Sequence, residues 1–598
     1  MMKAVILAAG YGNRMRPLTD NCHKTLLKIG DRTIIERIVD GLVANQVTDI
    51  TIVTGYRREE LTTYLHDRFP GMPFHFVHNP RYRETNNVYS LALAFRQMQF
   101  EADLILIESD LIFEPSVIER VIHAQETNVA LVDRFRSGMD GTVVTVENKV
   151  ITSVIPPHLQ GPRFDFTDKY KTLNIYKFSR EFCASTFVKL LTYYATAIDA
   201  NCYYELILGI LIYMQRETVH AEILEGERWA EVDDPNDLSI AEFVFNDEAR
   251  RPTLQRAHGG FWSYDITDYC YIRNMYFPTN ALISEMRDNL PALLRNYGST
   301  QSVLDRKAAY FLLCDARRLH VLNGASQIYP ILRGWLGGKR VLLPSPTFGE
   351  YPRIFPEHDT YRDAVGIDRA DLERRCEQAD VIVVVNPNNP TGTILPTDWI
   401  HRLAAQRPDK MFLVDESFIE FSEEPTIVEE LEREPLDNVL VVKSLSKSLG
   451  MPGLRLGFAY TCNQEISRRI GDEIPIWNLN SIAEFALETM LKHRPALFRS
   501  FEQTKSDRDA FAEALSGSDL VERVYPSAAN FLLVSTREAH LRGHDLVELL
   551  LSRHNVFIHD ATKKISDGKQ YYRLAVRLPH ENMRLARMLD RSTLLSTP

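Results

Sequence analysis

The chain has 598 residues, 45% of them hydrophobic and 25% charged, with a net charge of −11. Such a length exceeds what one hydrophobic core organises and predicts about two to four domains. The acidic balance argues against a nucleic-acid-binding surface, which needs a clustered positive field, and no apolar run approaches the roughly 20 residues that span a bilayer. Seven cysteines (Cys22, Cys183, Cys202, Cys270, Cys314, Cys376 and Cys462) stand apart without a C-x-x-C pair. That spacing fits reduced thiols better than a disulfide framework or a zinc site. A strand and a glycine turn follow the N-terminus at once, so no signal peptide is expected. The protein is read as cytoplasmic, with neither nucleic acid nor membrane as a partner.

Taken in chain order, Ala4–Leu7, Ile50–Thr54, Phe74–Val77 and Leu104–Ile107 read as strands, with helices over Thr33–Asn45 and Arg58–Leu65 between them. This alternation predicts an α/β domain over residues 1–245, with a mostly parallel sheet covered by helices on both faces. Residues 246–260 are polar, hold a proline and end in Gly-Gly, and read as a linker. A second α/β pattern fills residues 261–598, with strands at Arg340–Leu343, Val381–Val385, Met411–Val414 and Val439–Val442.

The first strand runs into Ala8-Ala9-Gly10-Tyr11-Gly12-Asn13-Arg14. Backbone N–H groups converge at such a turn, and the absent side chains at Gly10 and Gly12 let phosphates approach. The spacing is neither a dinucleotide fingerprint nor a Walker pattern. Arg16, Pro17-Leu18-Thr19 and His23-Lys24-Thr25 follow. Together these segments resemble the nucleoside-diphosphate-sugar and phosphocholine cytidylyltransferase superfamily. His-Lys-Thr in place of Pro-Lys-Pro is similar to the subgroup that activates phosphocholine-like head groups with CTP. The resemblance implies a Rossmann-like nucleotidyltransferase domain in which Ala8, Ala9, Gly10, Gly12, Arg14 and Lys24 hold CTP, with Arg14 and Lys24 also catalytic. It implies Mg²⁺ held by Asp110, which ends a buried strand in Glu108-Ser109-Asp110, and by Asp233 in Glu231-Val232-Asp233-Asp234. Asn86 and Asn87, in a segment also like this subgroup, are candidate base or acceptor contacts, or else ordinary loop residues. Tyr170–Tyr176 is a second segment of this kind.

Downstream, Ser444-Leu445-Ser446-Lys447 is followed eight residues later by Arg455, and Asn386-Pro387-Asn388-Asn389-Pro390-Thr391-Gly392 precedes them. These motifs resemble the class I/II aminotransferases of PLP fold type I, closest to the histidinol-phosphate aminotransferase and threonine-phosphate decarboxylase branch. The resemblance implies pyridoxal 5′-phosphate carried by Lys447. Its phosphate would meet Ala325, Ser326, Ser444, Ser446 and Arg455, with Tyr297 reaching across from a neighbouring subunit. Asp415 would face the ring nitrogen, Asn389 the ring oxygen and Phe348 the ring face. Arg573 matches the arginine that clamps a substrate carboxylate. Two positions depart from the pattern. Phe418 stands where many relatives have a tyrosine on the ring oxygen. His559 stands where this branch has an arginine for the substrate's phosphate, which argues against histidinol phosphate. Lys563 and Lys564 are replacement charges or, as the preferred reading, a solvated pair.

One chain holding both halves resembles the fused phosphonate-tailoring enzymes. There an aminotransferase forms 2-aminoethylphosphonate from phosphonoacetaldehyde with an amino-acid donor. The cytidylyltransferase then converts it with CTP to CMP-2-aminoethylphosphonate and pyrophosphate. The alternative is a phospho-amino-acid decarboxylase, acting on phosphoserine to give phosphoethanolamine, coupled to CDP-ethanolamine formation. A third reading makes one domain a non-catalytic nucleotide-sensing or scaffolding module, against which the intact Asp110, Asp233, Lys24, Arg14, Lys447 and Asp415 stand. A homodimer through the aminotransferase domain is implied.

Overall fold

Residues 2–136, 138–161, 164–363, 366–537, 541, 543–590 and 594 are described by a computed structural model of the chain. They fall into two compact units, Met1–Asp265 and Ile266–Pro598. In the first, strands Phe74–His78, Asp49–Thr54, Met2–Ala8 and Asp103–Glu108 lie side by side and parallel. Ala4, Val5 and Ile6 are fully buried, as an unbroken apolar run demands when helices cover both sheet faces. The helices between them are Ile34–Ala44, closed by a reciprocal Thr33–Glu36 capping box, and Arg58–Arg68.

Beyond Asp103–Glu108 the sheet is mixed and mostly antiparallel, His220–Ile223 alone pairing parallel with Val129–Arg134 among the described residues. Tyr170–Phe178 runs antiparallel to Asp103–Glu108, and Val129–Arg134, His220–Ile223, Val150–Ile155 and Val143–Glu147 complete nine strands. The expectation of a mostly parallel sheet fails here because the later strands are not each followed by a crossover helix. Val143–Glu147 and Val150–Ile155 instead form a hairpin through Asn148 and Lys149, both at positive φ. Tyr170–Tyr176, weighed as loop, is this antiparallel strand. The segment read as a linker is also ordered. Helix Asp247–Ala257 runs through Pro252 and buries Leu254, while Arg250 lies 4.8 Å over the Phe243 ring.

The second unit has a seven-stranded sheet in the order Leu319–Asn323, Leu456–Thr461, Val439–Ser444, Met411–Asp415, Val381–Val385, Val341–Ser345, His358–Arg362. Its strands are parallel except that Leu456–Thr461 runs antiparallel to both neighbours. The four expected strands of this region all lie within it. A second sheet of Val521–Val524, Phe531–Thr536, Tyr571–Ala575 and His559–Asp560 is antiparallel throughout. Among the described residues no helix is long and apolar enough to cross a membrane.

Gly450 closes the turn after the short helix Leu445–Ser448 at φ +63°, and a Cβ there would fall on the carbonyl oxygens of Phe277 and Asn274. Asn274 in turn holds that helix, its N–H donating to the Lys447 carbonyl at 2.9 Å and its amide to the Ser448 carbonyl at 2.9 Å. Gly450→Ala is therefore expected to cost the second unit more than about 2 kcal/mol. Differential scanning calorimetry checks this, and a melting profile equal to wild type would contradict the packing described.

Candidate active sites

In the first unit the site is assembled at the carboxyl ends of the parallel strands. Met2–Ala8 ends at the buried Ala8, and the chain passes through Ala9 and Gly10 into Gly12, at φ +61°. A Cβ on Gly12 would meet the Lys24 Cβ at 3.3 Å, so this glycine leaves room for the lysine, while Gly10 has open space around it. His23 is buried beneath. Its Nδ1 accepts from the Thr25 N–H at 3.2 Å, and its Nε2 faces the Ala8 carbonyl at 3.2 Å. Burial pushes its pKa down to about 4, so the ring is neutral and ties Lys24 to the end of the first strand.

Lys24 Nζ donates to Asp110 Oδ2 at 3.1 Å and to Asp233 Oδ1 at 2.9 Å, and Arg14 Nη2 lies 2.7 Å from Asp233 Oδ2. The two aspartates, 123 residues apart in number, meet because strand Trp229–Glu231 pairs with Leu111–Phe113 and the Val232 N–H donates to the Asp110 carbonyl at 2.8 Å. Asp237 then accepts from the N–H groups of both Asp233 and Asp234. Burial alone would lower the Lys24 pKa, but Asp110 and Asp233 outweigh it and hold the ammonium above its usual range. Burial likewise acts to raise Asp233, and Lys24 and Arg14 outweigh it in the opposite direction. Asp110 Oδ1 is buried without a partner. Two adjacent carboxylates with one oxygen uncommitted fit a hard cation such as Mg²⁺, which takes one or two carboxylates and fills its remaining positions with phosphates and water.

Asn86 caps helix Asn87–Gln97, its Oδ1 accepting from the Asn87 N–H. Asn87 is committed inward: its amide donates to Glu108 Oε1 at 3.0 Å and Glu205 Oε2 at 3.3 Å, and its Oδ1 accepts from the Tyr204 N–H. Burial raises the pKa of Glu108 and Glu205 and pushes Glu231 up to about 7, although Lys171 lies 3.1 Å from Glu231. The sequence reading did not single out Glu108, Glu205, Glu231 or Lys171. The signal available was spacing, since Glu108 and Glu231 each stand two residues before a selected aspartate.

In the second unit Lys447 lies on the short helix that follows strand Val439–Ser444. Burial, then Arg573 and Arg455, pull its pKa down to about 8, against the pull of Asp415. Asp415 ends the adjacent strand and is fully enclosed: Oδ2 accepts from the Tyr351 hydroxyl at 2.7 Å, Oδ1 from the Ser417 N–H at 3.0 Å and hydroxyl at 2.6 Å. Arg455 Nη2 donates to Ser326 Oγ at 3.1 Å, and the Ser444 N–H to Ser417 Oγ at 3.1 Å. Gly324 beside Ala325 sits at φ +75°, where a Cβ would fall on the Arg455 guanidinium. Ser446 Oγ is buried without a partner. Phe348 lies 6.4 Å from the Tyr351 ring, edge to face. Asn389 Oδ1 accepts from Arg573 Nη1 at 2.8 Å, and Asn388 and Thr393 anchor its loop on the buried Asp363. Tyr297 is not part of this group; it is 78% exposed and stacks on Trp477 with ring centroids 4.5 Å apart. Phe418 packs edge-on against Phe531. A lysine of lowered pKa, an enclosed carboxylate, and an arginine beside a glycine turn with an uncommitted serine hydroxyl fit pyridoxal phosphate.

Lys24→Met would leave Asp110 and Asp233 facing each other with Arg14 alone. Breaking such a pair costs about 3 to 5 kcal/mol when fully buried. With 22% of the Asp233 side chain exposed, about 2 kcal/mol is expected near pH 7. The depressed Asp233 pKa contributes stability above about pH 4, and that contribution is lost as pH falls. The deficit should therefore shrink between about pH 5 and pH 3 in thermal melts. A deficit independent of pH would contradict the bridge.

Each unit also matches a known family. The chain matches the MobA-like NTP transferase domain over residues 4–161 and the class I and II aminotransferase family over residues 267–587. It is 31% identical over 595 residues to the CMP-5′-(3-aminopropyl)phosphonate synthase of Streptomyces rubellomurinus, covering 97% of this chain and 93% of that one. To the L-serine phosphate decarboxylase of Sulfurospirillum multivorans it is 29% identical over 345 residues, 53% of this chain and 85% of the relative. The solved L-threonine-O-3-phosphate decarboxylase from Porphyromonas gingivalis matches 54% of this chain and 98% of its own at 26% identity, with a TM-score of 0.48. The protein is thus a bifunctional enzyme, a nucleotidyltransferase domain followed by a pyridoxal-phosphate aminotransferase domain. It belongs to the class I and II aminotransferase family and, along its whole length, to the family of two-domain synthases that includes the Streptomyces enzyme.

Proposed function

We propose that the aminotransferase unit forms 2-aminoethylphosphonate from phosphonoacetaldehyde and an amino-acid donor, and that the nucleotidyltransferase unit joins it to CMP from CTP. The observation that carries this reading is the end-to-end match to a relative named for a CMP-aminoalkylphosphonate. In the first reaction step at the N-terminal site, a phosphonate oxygen attacks the α-phosphorus of CTP and pyrophosphate leaves in line. The protein then contributes positioning and neutralisation of charge. Backbone N–H groups around Ala8, Ala9, Gly10 and Gly12 approach the phosphates, Arg14 and Lys24 neutralise them, and Asp110 and Asp233 hold Mg²⁺. The Lys24 bridge supports this reading because it holds two carboxylates within hydrogen-bonding distance of one cation. Asn87 fits a positioning role better than direct contact, since its amide is bound within the fold, and Asn86 caps the helix through its Oδ1.

In the C-terminal site Lys447 would hold the cofactor, and its amine, once free, would take and return the proton of the amine-bearing carbon. When bound, pyridoxal phosphate supplies the electron sink for that bond. Asp415 keeps the ring nitrogen protonated, Phe348 covers the ring, and Ala325, Ser326, Ser444, Ser446 and Arg455 hold the phosphate. Because Asn389 Oδ1 already accepts from Arg573, its Nδ2 is the end left to donate to the ring oxygen. Arg573 binds the donor's carboxylate. The exposed Tyr297–Trp477 pair supports a homodimer in which Tyr297 serves the neighbouring subunit. The second reading, decarboxylation of phosphoserine followed by activation of phosphoethanolamine, is favoured by the match to the serine phosphate decarboxylase. Release of CO₂ from phosphoserine decides between them.

Lys447→Ala should abolish amino transfer and leave cytidylyl transfer within about twofold, since distant sites act additively. Asp110→Asn and Asp233→Asn should each lower Mg²⁺-dependent pyrophosphate release from CTP by about 100-fold or more without altering cofactor absorbance. Pyrophosphate release and the absorbance spectrum check both. Loss of both activities from one folded variant, or full activity in either aspartate variant, would overturn the assignments.

A further inference from the structure

Lys564 ends the short turn Thr562–Lys564, directly after strand His559–Asp560. The turn is pinned to the neighbouring strand, with the Ala561 N–H on the Tyr571 carbonyl at 2.8 Å and the Tyr571 N–H on Thr562 Oγ1 at 3.0 Å. From there Lys563 is exposed, whereas Lys564 turns inward and its Nζ donates to the Thr347 carbonyl at 3.0 Å. Thr347 is joined to the Asn-Pro-Thr-Gly loop, its hydroxyl donating to Asn388 Oδ1 at 3.1 Å. The next residue, Asn389, receives Arg573 Nη1. Arg573 is thus fastened to Asn389 directly, and Lys564 to the preceding Asn388 through Thr347, the residue before Phe348.

Arg573 is buried and Lys564 half-buried, and neither gains a carboxylate. Among the described residues neither forms an ion pair, each is bound only to carbonyl or amide oxygens, and Arg573 Nε is buried without a partner. Arg573 also acts on Lys564 as a like charge. Two such positive groups are unfavourable together unless an anion completes them. Position 559 supplies no charge. Burial, then Arg573 and Lys564, push the His559 pKa down to about 2, and its Nδ1 lies against Cys270 Sγ at 3.8 Å.

We propose that Lys564, with Arg573, binds the phosphorus-borne dianion of the substrate in the aminotransferase unit. The inference rests on the reading above that this unit handles an amino-phosphonate or amino-phosphate. The arginine fork matches a carboxylate by itself. A dianion with three oxygens takes the fork and a point charge beside it, which is what a lysine offers. The same pocket then accepts a monovalent donor through Arg573 alone and the dianionic partner through both cations, so one site serves both halves of an amino transfer.

The test uses the full-length enzyme loaded with pyridoxal phosphate. Its cofactor absorbance is titrated with 2-aminoethylphosphonate, O-phosphoethanolamine and the carboxylate counterpart 3-aminopropanoate. Calorimetric binding of methylphosphonate and acetate gives a readout independent of turnover. Lys564→Gln should weaken binding of the phosphorus compounds by about 10- to 100-fold, the loss of one charge-assisted contact. It should leave 3-aminopropanoate, acetate, cofactor content and melting temperature close to wild type. Lys564→Arg should recover part of the loss, and Lys563→Gln should change nothing. Arg573 and His559 face Lys564, and its ammonium is held at about 8 by burial, then by Arg573. Wild-type affinity for methylphosphonate should therefore fall as pH rises through about 8, and the Lys564→Gln variant should lack that limb. The tighter of 2-aminoethylphosphonate and O-phosphoethanolamine identifies which dianion is native, the loss in Lys564→Gln supporting the site in either case. Equal affinities in Lys564→Gln and wild type would overturn the Lys564 assignment and leave the reading of the unit intact. Failure of the wild type to bind any phosphorus compound would instead overturn that reading.

Discussion

Parallel strands deliver their last residues to one edge of a sheet, and both units depend on that constraint. In the first, Ala8 and the Glu108–Asp110 segment arrive together at the carboxyl ends of adjacent strands. In the second, Val385, Asp415 and Val442 are register partners, so Asn386, Asp415 and the Ser444–Lys447 segment emerge side by side. Ligands of open α/β sheets bind at this edge because loop N–H groups and side chains concentrate there without covering it. Each edge is then completed by an antiparallel pairing from far along the chain. Trp229–Glu231 brings Asp233 to Asp110, and Tyr571–Ala575 brings Arg573 to Asn389.

The two sites differ in how their charge is balanced. Around Lys24 the charges largely satisfy one another, with one ammonium between two carboxylates and Arg14 on the second. Such a network holds its own geometry before any ligand arrives, and in the proposed reading the triphosphate and its cation exchange into a site already formed. Around Lys447 the cations Arg455 and Arg573 act on it, Arg573 acts also on Lys564, and Asp415, which offsets Lys447, is itself wrapped by Tyr351 and Ser417. That pocket is built for anions it does not itself contain, and both the cofactor's phosphate and an anionic substrate meet the requirement.

Much of the site was legible in the sequence because its chemistry demands unusual local spelling. Gly10 has open space around it and Gly12 leaves room for Lys24, while Ser444, Ser446, Lys447 and Arg455 lie within twelve residues. Residues joined only by the fold were harder to see. Glu108, Glu205 and Asn87 meet across more than 100 positions, and Tyr351 reaches Asp415 from 64 residues away. Lys564 read as half of a solvated pair because nothing local distinguishes it from Lys563; the difference is which way the turn faces. His559, which stands where relatives have an arginine for the substrate's phosphate, has a neutral ring turned to Cys270. The parallel half of the first sheet was legible through its alternation of strand and helix, and the antiparallel half was not, since a hairpin needs no helix to announce it. Polarity made residues 246–260 read as linker, whereas Leu254 and Arg250 make helix Asp247–Ala257 part of the first unit.

The central claim is that one chain activates a small amino-phosphonate with CTP. Phosphorus NMR of the purified enzyme with CTP and Mg²⁺ tests it most directly. The candidate acceptors 2-aminoethylphosphonate, 3-aminopropylphosphonate, phosphoethanolamine, phosphocholine and phosphoserine are supplied in competition. The account predicts pyrophosphate together with a mixed phosphonate–phosphate anhydride, formed fastest from 2-aminoethylphosphonate. Preferential consumption of a phosphate ester, or no pyrophosphate with any acceptor, would contradict it.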